Sequence, residues 1–314
     1  MTYTLGIHES VEVVFPPESF ADVLDLPEGT AVELRVVPRD DAAALSGLDA
    51  IVTFAYDEAF LDTDLEWIHS IQTGVDRFPF PDLEEAGVAL TSSTGIHGDA
   101  VGDTVAGYML SFARGLHVYR DAQGDGLWDR TPPAPPFSLA GERLCLVGLG
   151  VLGRGIAARA AGLGMDVVGV RRTPTPVANV NEVYGRDRLA EAIGEARFVA
   201  LALPLTPESE ELIGPAELDA MREDAYLLNV ARGAVVDEPA LIEALSNGTI
   251  AGAALDVFET EPLPETSPLW DLQNVILTPH VAAAHREYAA RVAAIVGESL
   301  RRRERGEELA NRVV

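Results

Sequence analysis

The sequence contains no lysine: its 23 cationic side chains are all arginines, set against 50 acidic ones, for a formal net charge of −27. A chain this poor in cations offers no broad basic face to a phosphate backbone, so no nucleic-acid partner is expected. The one basic run, "RRRER" at 301–305, reads as the solvated last turn of a helix. Cysteine is almost as scarce. The single Cys145, inside the apolar "RLCLVG", excludes an intrachain disulfide and reads as a buried structural thiol. No stretch approaches the roughly 18 apolar residues of a membrane span. The first twenty residues lack the basic start and uninterrupted apolar run of a secretion signal, so a soluble cytoplasmic protein with no membrane partner is expected. No set of His, Cys, Asp and Glu has the spacing of a closed metal site, and no metal is expected.

What is present is acid, spread along all 314 residues instead of gathered into a tail. Such a charge coats a folded surface, and the composition resembles that of salt-accumulating halophiles. At about 1 M salt the Debye length is about 3 Å, which screens the self-repulsion. The length suits two domains.

Short apolar runs alternate with helical patterns throughout, the rhythm of an α/β fold. "YTLGI", "VELRVV", "DAIVTFAY", "WIHSIQ" and "GVALTSS" read as strands of a small parallel sheet. A helical pattern follows from about residue 99, closed by the proline-rich "TPPAPPFSLAGE". Six strand-like runs come next: "RLCLVG", "DVVGV", "FVALAL", "AYLLNV", "GAALDV" and "NVILTP". The last amphipathic segment, from His285, is long enough to return to the first domain. The expected division is 1–98 with 283–314 as a discontinuous substrate domain and 99–282 as a dinucleotide-binding domain.

"LVGLGVLGRGIAARA" places Gly148, Gly150 and Gly153 in G-x-G-x-x-G between a strand and an alanine-rich helix. Gly148 permits the tight turn, Gly150 lets backbone approach a pyrophosphate, Gly153 allows close helix packing, and the N–H groups of the helix start, at Val151 and Leu152, meet the anion. The acid expected about 20 residues on, for the ribose of NAD, is replaced by Arg171; Asp166 begins that strand, at its opposite end. Arg171, Arg172 and Thr173 are suited to the 2′-phosphate of NADP, or else form a solvated loop. NADP is the preferred cofactor on this reading and NAD the secondary one.

Three further strands close on polar residues: Arg232 in "LLNVARGAVVDE"; Asp256, Glu259 and Glu261 in "ALDVFETEPLP"; and His280 in "VILTPHVAAAH". An arginine fork binds a carboxylate, and a histidine beside a carboxylate exchanges a proton. Either acid, Glu259 or Glu261, could serve. His97, near the domain joint, could line a cleft.

In order and spacing these segments, with "SIQTGVD", "LALPLTPES" and "SPLW", resemble the D-isomer-specific 2-hydroxyacid dehydrogenase family over nearly the whole chain. The resemblance implies a Rossmann domain and a smaller flavodoxin-like domain, both doubly wound parallel sheets, and a homodimer. It assigns Arg232 to the substrate carboxylate and keto oxygen, favours Glu261 as partner of the catalytic His280, and puts Asp256 against the nicotinamide carboxamide. Backbone at Thr73 and Gly74 would hold the substrate carboxylate, and Thr104, Pro204, Ser209 and Val230 would lie along the cofactor. Asp103 stands where the family commonly has glutamate. Glu261 beside His280 argues against formate dehydrogenases, which use glutamine there. The implied activity is reversible NAD(P)H-dependent reduction of 2-keto acids. A dedicated glyoxylate or hydroxypyruvate reductase is the alternative, and a non-catalytic nucleotide sensor is disfavoured by the intact Arg232, Glu261 and His280.

Overall fold

The computed structural model describes residues 2–26, 31–128, 130 and 134–314. In chain order the elements are β1 (Tyr3–His8), α1 (Pro17–Ala21), β2 (Val32–Val37), β3 (Ala50–Thr53), β4 (Trp67–Ser70), α2 (Phe80–Ala86), β5 (Ala89–Ser92), α3 (Gly98–Arg114), α4 (Leu116–Gly124), β6 (Arg143–Val147) and α5 (Val151–Gly162). They continue with β7 (Asp166–Val170), β8 (Glu182–Tyr184), α6 (Leu189–Gly194), β9 (Phe198–Leu201), α7 (Pro215–Ala220), β10 (Tyr226–Asn229), α8 (Glu238–Asn247), β11 (Gly252–Leu255), β12 (Val275–Leu277) and α9 (Tyr288–Glu304). The chain divides into two compact units, 1–96 with 284–314, and 97–283.

Among the described residues of the first unit, five parallel strands run in the order β2-β1-β3-β4-β5. Alternate side chains feed two cores. Leu5, Ile7 and Val52 join Val292, Val296 and Leu300 of α9 on one face, while Ile51, Ile68 and Leu90 meet Phe60 and Leu83 on the other. Sheets buried on both faces need such near-continuous apolar strands. The basic run lies at the end of α9, where Arg301 and Arg302 pair with Glu298, and Arg303 pairs with Glu66 over the Tyr3 ring.

Among the described residues of the second unit, seven parallel strands run in the order β12-β11-β10-β9-β6-β7-β8. Cys145, Val168, Val199 and Leu227 point to one face, and Leu144, Val167, Phe198 and Leu228 to the other. Burial pushes the Cys145 thiol up to about 12, consistent with a structural role. The chain winds outward from β6 to β8, then returns to lay β9 beside β6; a ligand crevice forms at such a reversal, outside the carboxyl ends of the strands.

Three elements depart from expectation. β8, three residues long, is a seventh strand too short to show alternation. The helix expected from residue 99 is broken by Gly115, whose φ of +64° ends α3 and starts α4. His285 precedes α9 instead of beginning it, its ring stacked on Tyr288 at 5.3 Å.

Candidate active site

β6 runs into Gly148 at φ +101°, a conformation that favours glycine. A Cβ there would overlap the Ala202 carbonyl at the end of β9, and one at Gly153 would overlap the Gly148 carbonyl. On Gly150 a Cβ would meet nothing within 4 Å. No side chain caps α5, so the first-turn N–H groups, at Val151, Leu152 and Gly153, keep their positive pole for an anion. The tight turn, the uncapped helix start and the open face of Gly150 fit a dinucleotide pyrophosphate. Behind the turn, Gly98 and Gly102 of α3 press on Gly155 of α5. Arg159 of α5 pairs there with Asp103 at 2.6 Å and Asp99 at 3.2 Å, so Asp103 fastens these two helices.

At the end of β7 the Arg171 N–H donates to the Tyr184 carbonyl at 3.1 Å and its guanidinium to the Thr175 hydroxyl at 2.9 Å. Arg172 and Thr173 are exposed. Asp166, at the other end of β7, is bound to Asn181 and Arg143, and these bonds hold its carboxyl below the usual range. Glu208 is likewise held low, first by the Thr206 hydroxyl and further by the charges of Arg172 and Arg186. Pro204 is exposed and Val230 buried. The Ser209 hydroxyl bonds within its own loop: it accepts from the Thr206 N–H and donates to the Pro204 carbonyl, both at 2.8 Å.

The loops after β10, β11 and β12 carry Arg232, Glu261 and His280. Asn229 ends β10 and staples the first loop, donating to the Arg232 carbonyl and accepting from the Ala231 N–H, both at 3.0 Å. The Arg232 guanidinium donates to the Ala231 carbonyl at 2.8 Å. Gly233 lets this loop rest on the next, since a Cβ there would overlap the Phe258 carbonyl. Glu261 Oε2 meets His280 Nδ1 at 2.8 Å, and Glu261 Oε1 accepts the Phe258 N–H at 3.2 Å. Glu259 is exposed, its N–H donating to Glu238, so of the two acids it is Glu261 that meets the imidazole. With Nδ1 occupied, Nε2 of the partly exposed His280 ring is the nitrogen left for a reactant.

Asp256, 2% exposed, has partners in the His280 loop: its carboxylate accepts from the Thr278 hydroxyl at 2.6 Å and from the N–H groups of Val281 and Ala282 at 2.9 Å. The Thr104 hydroxyl donates to the Ala282 carbonyl at 3.0 Å. His97 is buried at the N-cap of α3. In the first unit, Thr73 and Gly74 are half-buried in the loop after β4. Asn229 and Gly233 escaped the reading of the sequence. An amide closing a buried strand, and a glycine following an arginine with no turn signal, were the available hints.

A family model described as "D-isomer specific 2-hydroxyacid dehydrogenase, NAD binding domain" matches residues 106–282, more than half of the chain. The chain belongs to the D-isomer-specific 2-hydroxyacid dehydrogenases. Within that family it is 34% identical over 277 residues to glyoxylate reductase of Thermococcus litoralis, covering 85% of this chain and 82% of that one. It is 36% identical over 242 residues to D-3-phosphoglycerate dehydrogenase of Methanocaldococcus jannaschii, covering 77% of this dehydrogenase but only 46% of that longer one. A D-isomer-specific 2-hydroxyacid dehydrogenase of Xanthobacter autotrophicus Py2, solved with NADPH and MES, superposes with a TM-score of 0.83 at 30% identity, covering 100% of this chain and 98% of that one. The two-sheet architecture and the Rossmann order of the second sheet are those of this family of dehydrogenases.

Proposed function

We propose that this dehydrogenase reduces 2-keto carboxylic acids to D-2-hydroxy acids with NADPH preferred over NADH. The observation that carries the reading is the Glu261–His280 pair at 2.8 Å, made through Nδ1, which leaves Nε2 for the reactant. A reduced nicotinamide supplies the hydride. His280 Nε2 would give its proton to the keto oxygen during that reduction, and the Glu261 carboxylate stabilises the imidazolium before transfer. Arg232 grips the substrate carboxylate and keto oxygen by its planar fork. Asp256 would hold the carboxamide of the cofactor, and Thr104, Pro204, Ser209 and Val230 would lie along it.

Arg171, Arg172 and Thr173 take the adenosine 2′-phosphate. The family relative solved with NADPH supports this assignment, as does the absence of an acid at the end of β7. The glyoxylate reductase among the relatives makes glyoxylate and hydroxypyruvate the first substrates to try. The reading extends to a cytoplasmic homodimer adapted to high salt, joined through the helical segment from about 99 to 120, where Leu110 and Leu116 expose apolar surface. A monomer by light scattering in molar salt contradicts the dimer.

The test follows cofactor oxidation at 340 nm with a panel of keto acids. Turnover of at least one is expected, with kcat/KM about ten- to a hundredfold higher for NADPH, the worth of one charged hydrogen bond. No turnover with any keto acid removes the enzymatic reading and leaves the nucleotide sensor.

A further inference from the structure

His280 stands at φ +54°, in the left-handed region that few non-glycine residues occupy and that costs backbone strain unless neighbouring contacts support it. Its own N–H donates to the Asp256 carbonyl at 2.8 Å, and the Asp256 carboxylate gathers the loop on both sides, through Thr278 before it and Val281 and Ala282 after it. The Thr278 hydroxyl has one hydrogen, and Asp256 receives it. Thr278 Oγ1 therefore accepts from Tyr108, whose hydroxyl lies 2.5 Å away on α3. Burial pushes the Tyr108 phenol up to about 12, so it keeps its proton in the neutral range. One turn further along α3, Phe112 stacks on Tyr226 of β10 at 4.4 Å, which ties the helix to the sheet that presents the site.

We propose that Tyr108 is a positioning residue for proton transfer, acting through Thr278 and Asp256 to hold the His280 loop in its strained conformation. The inference rests on His280 being the proton donor. Hydrogen bonds arranged in one direction reinforce one another, so a link lost at Tyr108 is felt at the far end of the chain. The phenol lies in the buried part of α3, 6% exposed, and touches no reacting atom in this account.

The experiment compares Tyr108→Phe, Thr278→Val, the double variant and His280→Ala in NADPH-dependent keto-acid reduction, with thermal midpoints measured in molar salt. Tyr108→Phe should lower kcat about tenfold and raise the solvent deuterium isotope effect, because a misaimed donor slows the proton. The double variant should be no slower than Thr278→Val alone. A Tyr108→Phe enzyme with wild-type kcat, or effects that multiply in the double variant, overturns the proposal, and so does a lowered thermal midpoint with kcat and isotope effect unmoved. If His280→Ala is inactive while Tyr108→Phe is normal, only this inference falls; if His280→Ala stays active, the proton-donor reading falls with it.

Discussion

The two ends of the Rossmann unit are built differently. At the end carrying Arg232, Glu261 and His280, the loops are fastened to one another: Asn229 staples the first, Gly233 seats it on the second, and Asp256 pins the third. At the end carrying Arg171, Arg172 and Thr173, the Arg171 N–H bonds to β8 and its guanidinium to Thr175 of the same loop, and most of the loop from 171 to 179 faces solvent. Groups that move a proton must be aimed within fractions of an ångström, whereas groups that meet a phosphate need only the right charge within reach. Substitutions at the fastened loops should therefore lower kcat, and those at the loose loop should alter cofactor choice.

The largest effect should come from closing the space that seats one catalytic loop on another. Gly233→Ala puts a methyl into the Phe258 carbonyl and should lower kcat roughly a hundredfold, because Arg232 and Glu261 shift apart. Steady-state kinetics on variant protein with native circular dichroism checks this, and a normal kcat would show that the fastening is incidental. Arg171→Asp acts at the loose end. It should leave kcat near wild type while lowering the NADPH-to-NADH ratio of kcat/KM about ten- to a hundredfold, since an anion replaces a phosphate ligand. If both cofactors are used equally before and after the change, the two arginines are a solvated loop and nothing more.

Salt should separate the ends without any substitution. Raising potassium chloride from about 0.1 to 2 M should shrink the NADPH preference several-fold by screening the exposed arginines, while kcat at saturating cofactor holds. The thermal midpoint should rise over the same range as repulsion among 50 acids is screened, and an unchanged midpoint contradicts the halophilic reading.

His69 carries the comparison to a histidine that is held but does no chemistry. It is fully buried in β4, between the Thr91 and Ser93 hydroxyls at 2.7 and 3.0 Å, and burial draws its pKa down to about 3. The unfolded chain binds a proton at this residue below about pH 6.5 and the folded one does not, so stability is lost as pH falls from there toward 3. The cost is about 2 kcal/mol at pH 5. His69→Gln should flatten that part of the acid-denaturation curve; an unchanged slope shows that other groups set it.

Strands and glycine turn were legible because each signal is local. The run "RLCLVG" followed by Gly148, Gly150 and Gly153 names a strand, a turn and a helix in twelve residues or so, and parallel strands buried on both faces advertise themselves by β-branched and leucine content. The segments holding Arg232, Glu261 and His280 were legible as motifs, yet their supports were not. Gly233 matters because of Phe258, and Thr278 because of Tyr108, pairs far apart in sequence whose meeting depends on sheet order. The bonds that the Ser209 hydroxyl makes within its own loop were equally out of reach, because they are decided by a turn that composition does not encode. β8 was missed because three residues are too few for a period to show.

The most direct test of the account is the turnover of His280→Ala with glyoxylate or hydroxypyruvate at saturating NADPH, beside the wild type. Loss of the imidazole that Glu261 orients at 2.8 Å should lower kcat by roughly a hundredfold or more while NADPH still binds, as judged by its fluorescence. A variant that binds NADPH and keeps most of its turnover would contradict the claim that His280 delivers the proton.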